Sequence, residues 1–279
     1  MKWRACFFIV VLLFMVAACS HVESQGQQKE TGNVQLEATR SSKQQDNNRT
    51  DSKEEGFAED KQMESSSQVP LYKIHSANFN IEPLHESSDN IVLLTIDDAP
   101  DKYALEMAKT LQALKVNAIF FVNGHFLVTD EQKAVLKEIH DMGFLIGNHT
   151  MTHENLKKLS NEEQYKEIVG LNNVVEEIIG ERPKFFRAPF GANTDYSRQL
   201  ALDEKMVLMN WTYGYDFMKE YMSKEALTDI MVNTNLLHNG ANLLMHDREW
   251  TRDALKDIVT GLQNKGYTIA DPQLIETLQ

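Results

Sequence analysis

From Ile91 onward the chain alternates short, nearly uninterrupted apolar runs with longer stretches in which apolar residues recur at spacings of three and four. The runs have the length of strands and cover residues 91–96, 116–122, 144–147, 184–187, 206–211, 242–246 and 267–270. An apolar run without alternation reads as a strand buried on both faces, which is the environment of a parallel sheet. The intervening stretches carry helical stripes such as Leu105, Ala108, Leu111 and Leu114, then Ala134, Leu136 and Ile139. The longest predicted helix covers residues 161–179: Ser160 stands ahead of Glu162 and Glu163 as a capping arrangement, and Gly180 and Pro183 mark its end. Repeated strand and helix units predict an α/β fold, a distorted (β/α) barrel of about seven parallel strands forming one catalytic domain over residues 86–279. An open doubly wound sheet is the competing architecture.

The first ninety residues follow a different pattern. Lys2 and Arg4 precede an uncharged, mostly apolar run at 5–18, too short to span a bilayer comfortably but of the right length for a secretory signal. Residues 1–18 are therefore predicted to be a cleaved signal peptide, with a short uncleaved anchor as the alternative. The run ends in Val16-Ala17-Ala18-Cys19, which resembles the lipobox of bacterial lipoproteins. That resemblance implies that Cys19 is lipidated, becomes the new N-terminus, and anchors an extracytoplasmic protein to the cell membrane. The only other cysteine is Cys6, inside the signal, so the mature chain has no intramolecular disulfide.

Residues 19–85 are assigned to the lipidated terminus and a disordered linker. Between Ser20 and Pro70, Gln, Ser, Lys, Glu, Asp and Asn dominate and Phe57 is the only aromatic residue, too little apolar surface to offset chain entropy. Apolar residues return at Leu71, Tyr72, Ile74, Phe79, Ile81 and Leu84, a region read as a strand or loop packing against the domain. Mixed charge along the linker and a net charge of −13 exclude a nucleic-acid arm. Nothing in the sequence calls for an obligate protein partner.

Candidate chemistry sits at the ends of the predicted strands. Asp97 and Asp98 close the run at 91–96, and the C-terminal ends of buried parallel strands are where such folds carry their reactive groups; taken alone the pair also suits a turn, with Asp98 starting the next helix. The run at 144–147 is followed by His149 and His153, which project from one face if the turn between them is helical. Two histidines and a carboxylate make a three-ligand site that leaves positions open for water and substrate. Arg187, at the next strand end, offers a fixed fork for a carboxylate and precedes Pro189-Phe190-Gly191, a tight turn whose backbone N–H groups could face the site. Trp211 and Asp216 follow, and His246 and Asp247 end the run at 242–246.

The ordered set resembles the polysaccharide deacetylase family, carbohydrate esterase family 4. The family's Thr-Phe-Asp-Asp-Gly-Pro is similar to Thr95 through Pro100, with Ile96 for Phe and Ala99 for Gly; His149 to His153 fits His-(Ser/Thr)-x-x-His; Arg187 to Phe190 fits Arg-x-Pro-(Tyr/Phe); and Leu244, Met245 and His246 fit Leu-x-His. The resemblance covers roughly residues 91–270. It implies that Asp98, His149 and His153 hold one divalent metal, usually zinc, with Asp97 as general base, Arg187 orienting that base and His246 as general acid. It also implies an oxyanion contact from a backbone N–H near Phe190. The expected activity is removal of N-acetyl groups from a cell-wall or extracellular polysaccharide, with peptidoglycan N-acetylglucosamine first. An O-acetyl esterase on a xylan-like polymer and a glycan-binding lipoprotein without turnover remain open, as does an iron oxygenase with a formally similar ligand set.

Two departures qualify the resemblance. Ala99 places a Cβ where the family's turn has glycine. Gly214 stands where an acid is common, and Asp216-Phe217 replaces Asp-Trp at altered spacing, which leaves open whether Asp216 serves Arg187 or His246 and whether Trp211 lines an acetyl pocket.

Overall fold

The computed structural model describes residues 69–87 and 89–278; the predicted signal peptide, Cys19 and most of the predicted linker lie outside them. The first described elements are β1 (Tyr72–Ile74) and β2 (Ile81–Pro83), an antiparallel hairpin. The hairpin packs against the domain, as the strand-or-loop reading of 71–84 expects, so the folded part begins ahead of the predicted boundary at residue 86. Leu71 N donates to Leu274 O at 2.8 Å, Glu276 N to Tyr72 O at 2.7 Å, and Ile81 N to Gly240 O at 2.9 Å. Ile81 is buried with Ile91, Leu93 and Ile119, so the few apolar residues of 71–84 suffice to dock it.

Seven strands form one curled, all-parallel sheet, a half-barrel: β3 (Asn90–Ala99), β4 (Ile119–Val122), β5 (Leu145–Asn148), β6 (Phe185–Phe186), β7 (Val207–Leu208), β8 (Ala241–His246) and β9 (Tyr267–Ile269). The order runs β7-β6-β5-β4-β3-β8, with β9 pairing the start of β3. Each predicted apolar run overlaps one strand, and β3 extends three residues past its predicted end. Two runs yield only two-residue strands, β6 and β7. The segment after β7 crosses to β8 instead, where Tyr213 bridges Leu243 and Thr212 N donates to Asn242 O at 2.8 Å.

Helices α1 (Ala104–Ala113), α2 (Asp130–Asp141), α3 (Asn161–Ile179), α4 (Asp195–Asp203), α5 (Lys224–Asn233) and α6 (Glu249–Asn264) complete the domain. The predicted ends of α3 are the observed ones: the Ser160 side chain accepts from Glu163 N, and Gly180 takes the left-handed conformation at φ +84°. No described helix is long and apolar enough to cross a membrane.

Alternation along β3 sets the two sides of the sheet. Val92, Leu94 and Ile96 pack with helix residues such as Met107, Leu111, Leu255 and Ile258, while Ile91 and Leu93 fill the other side with Ile119, Phe121, Phe185 and Met209. Thr95 and Asp97 continue the inner row, so the interior changes from apolar to polar toward the C-terminal ends of the strands.

Candidate active site

Asp97 is a regular member of β3, in register with His246 of β8. Asp98 is not regular. Its φ is +62°, and the pairing of β3 with β4 slips between Ile96 and Ala99. A regular strand would send consecutive side chains to opposite faces, so this bulge is what lets both carboxylates serve one cleft. The alternative reading of the pair as a turn with Asp98 starting the next helix does not hold: the strand runs on to Ala99, and α1 begins at Ala104.

The two acids have different neighbours. Asp97 Oδ1 accepts from the Arg187 guanidinium at 2.6 Å. Arg187 is fully buried, donates also to Thr95 Oγ1 and Asn210 O, both at 2.8 Å, and lies 4.3 Å over the Phe121 ring. An arginine taken wholly out of water needs such fixed partners, and its burial holds it below the usual arginine range. The other Asp97 oxygen, Oδ2, lies 3.5 Å from His149 Nε2, and Asp98 Oδ1 lies 3.4 Å from His153 Nε2 and 3.9 Å from His149 Nε2. Burial acts to raise the Asp98 carboxyl, but His246, His149, His153 and Arg248 together hold it below the usual carboxylate range.

His149 follows β5, and its Nδ1 lies 2.7 Å from Arg187 O. Only an N–H can satisfy that carbonyl, so the neutral ring keeps its lone pair on Nε2, toward the acids. The turn between His149 and His153 is not helical, so the condition under which both would project from one helix face is not the one met. Thr150 and His153 are left-handed at φ +73° and +61°, and the loop is tied down by Asn123 Nδ2 donating to His149 O at 2.5 Å and by Thr152 N and Oγ1 donating to Glu167 at 2.8 and 2.6 Å. The two rings still meet, with centroids 5.0 Å apart. Burial and the neighbouring His149 lower the His153 pKa below 6.5, which favours the neutral, ligating form. The Nε2 atoms and an Asp98 oxygen lie within 4.8 Å of one another. Two unprotonated imidazole nitrogens and one carboxylate oxygen are the donor set of a divalent metal of the zinc type, and these residues fit one.

Across the cleft His246 Nδ1 lies 2.7 Å from Asp216 Oδ1. The other Asp216 oxygen accepts from His246 N at 2.6 Å and from Thr251 Oγ1 at 2.8 Å. Asp216 thus serves His246 and not Arg187. Burial acts to lower the His246 pKa, but Asp216, with Asp97 and Asp98 behind it, outweighs burial and holds it above 6.5. Gly214 accounts for the missing acid: a Cβ there would come within 2.6 Å of Leu244 O.

Asp97, Asp98, the three histidines, Trp211, Leu244, Phe217 and Arg248 line a cleft of about 380 Å³, with Phe190 at its edge, 65% exposed and edge-on to His153. Phe190 has φ +59°. Three of the seven described non-glycine residues at positive φ, Asp98, His153 and Phe190, line this cleft and a fourth, Thr150, lies in the loop between its two histidines, a clustering of strained backbone that is characteristic of functional sites. Ala99 is not among them; it is buried in the core and has room for its methyl.

All the sequence-predicted site residues described here converge, whereas Cys19 lies outside the described residues. Sequence reasoning missed Arg248, which donates to Asp98 Oδ2 at 2.6 Å, and Glu167, the anchor of the histidine loop. Glu167 carried a legible signal, a charge on the buried stripe of α3 between Gln164 and Leu171.

A family model described as polysaccharide deacetylase matches residues 85–209. An uncharacterized 30.6 kDa protein of Geobacillus stearothermophilus is 30% identical over 66% of this chain and 70% of its own. A Bacillus cereus peptidoglycan-N-acetylglucosamine deacetylase is 27% identical over 67% of this chain and 68% of its own. Other curated relatives are longer; the chain spans 61% of one and 40% of another. Among solved structures, a family 4 pseudoenzyme from Bacillus anthracis superposes with a TM-score of 0.60 at 28% identity, covering 67% of this chain and 65% of its own.

Proposed function

Because the chain belongs to the polysaccharide deacetylase family, carbohydrate esterase family 4, we propose that it is a metal-dependent hydrolase that removes N-acetyl groups from a polysaccharide, with N-acetylglucosamine of peptidoglycan as the favoured substrate. The observation that carries this reading is the convergence of both acids on the histidines with unequal partners: Asp98 lies near both His149 and His153, while Asp97 lies near His149 alone and has its other oxygen held by a buried arginine.

Each residue has a part. Asp98, His149 and His153 would hold the metal, which when bound supplies a Lewis acid that polarises the acetyl carbonyl and acidifies water. Asp97 takes the proton of the attacking water, with Arg187 fixing its orientation. A backbone N–H at Phe190 stabilises the oxyanion as the carbonyl becomes tetrahedral. Trp211 and Leu244 line the space for the acetyl methyl. His246, oriented by Asp216 and with its pKa raised, gives a proton to the departing amine, so the C–N bond breaks to acetate and a free amino sugar. Peptidoglycan deacetylases among the relatives favour that polymer. A predicted export signal and lipid on Cys19 support an extracytoplasmic, membrane-anchored location, which suits the same substrate; the mass of the mature N-terminus checks it.

The pseudoenzyme relative, of which a mutant has restored enzymatic activity, keeps a non-catalytic glycan-binding reading in view. The complete acid, histidine and arginine set of this chain weighs against it. The decisive experiment measures metal content and acetate release from peptidoglycan and N-acetylglucosamine oligomers. Release is expected, lost on chelation and restored by zinc, and Asp97→Asn is expected to lower it by roughly 10²- to 10⁴-fold with metal retained. A metal-loaded protein that frees no acetate from these substrates, or a fully active Asp97→Asn, overturns the reading.

A further inference from the structure

We infer that Arg248 is a positioning residue for the metal site, holding one oxygen of Asp98 so that the other faces the histidines; the inference rests on the metal-dependent reading above. Arg248 stands at the N-cap of α6 with extended backbone, directly after the His246-Asp247 pair. Its Nη1 donates to Asp247 O at 2.9 Å and its Nη2 to Asp98 Oδ2 at 2.6 Å, and Asp101 lies 3.9 Å away. The guanidinium is thus tied to backbone on one side and to the carboxylate on the other. Asp98 is left with Oδ1 directed at His153 and His149 and no freedom to turn.

Two effects compete. The guanidinium carries positive charge close to the cation, which opposes binding. It also removes the rotational freedom of a ligand in a strained, left-handed position, and losing a hydrogen bond of this kind behind a metal ligand typically costs 10- to 100-fold in affinity. Orientation prevails here because the charge acts through a carboxylate that it shares with the metal, and because the side chain is one-third exposed and its field is screened by water. Neither His149 nor His153 contacts Arg248 by a hydrogen bond, so its influence runs through Asp98 alone.

The test is zinc affinity by chelator competition, together with the visible absorption of the cobalt-substituted protein, for the wild type, Arg248→Ala and Arg248→Lys. Arg248→Ala is expected to bind zinc 10- to 100-fold more weakly with an altered cobalt spectrum, and Arg248→Lys, which keeps the charge and one donor, to recover part of the loss. Circular dichroism checks that each variant is folded, and Arg248→Gln replaces any that is not. Unchanged or tighter binding in folded Arg248→Ala overturns the inference while leaving the metal-dependent reading intact. A wild type that binds no zinc removes both.

Discussion

Asp97 and Asp98 are adjacent and chemically identical, and their surroundings alone separate them. Asp97 is salt-bridged to Arg187, which water cannot reach, and lies within 4 Å of His149 alone of the two imidazoles, whereas Asp98 lies within 4 Å of both and is paired with the half-buried Arg248. The same dependence on neighbours fixes His246. Its folded-state pKa lies above its ordinary value, so the stability contributed by its protonated form is fully present below the unfolded pKa and is lost as pH rises through the folded one. In its proposed role of general acid His246 must be protonated, so activity should fall on the alkaline side of the profile. Asp216→Asn removes the main group raising that pKa and is expected to move the alkaline limb to lower pH, read from kcat against pH; an unmoved limb would assign the proton to another group. Ala99 raises a different residue-scale question. Its burial and the absence of a positive φ predict that Ala99→Gly gives no gain in rate and a loss of about 0.5–1 kcal/mol, measured as a lower denaturation midpoint.

At the scale of elements, the strand ends deliver the chemistry and the helix ends hold it in place. The Asp247 carboxylate accepts from Lys102 N at 3.0 Å, Tyr103 N at 2.6 Å and Ala104 N at 3.0 Å, which caps the start of α1 from the end of the neighbouring strand β8. The acid beside His246 is thus a structural cap that ties the β3 exit to β8. Asp247→Ala leaves those N–H groups without their acceptor and is expected to cost about 0.5–2 kcal/mol in chemical denaturation. Helix α3 was legible to the residue because its caps and its apolar spacing are local. The turn from His149 to His153 was not, because the spacing of four suggested a helix while the loop is set by Asn123 and Glu167 from other elements. Strands β6 and β7 came out shorter than their apolar runs, since the chain leaves the sheet to place Arg187 and Trp211 at the cleft.

Across the whole molecule, the sheet buries an apolar interior at one end and a charged one at the other. Ile91, Leu93, Thr95 and Asp97 trace that gradient along a single strand, and the docked hairpin closes the apolar end. Arg187 illustrates the consequence: it bridges Asp97, Thr95 and Asn210 O while its own carbonyl sets the tautomer of His149, four contacts to residues 23 to 92 positions away. The sequence by itself determined the strand and helix alternation, the parallel sheet and the identities of the site residues, because burial period and residue chemistry are written locally. Only the tertiary structure decided that Asp98 turns toward the histidines, that Asp216 belongs to His246 and that Arg248 reaches Asp98. Those outcomes depend on left-handed backbone, strand register and hydrogen bonds between distant segments, and none of these has a period along the chain.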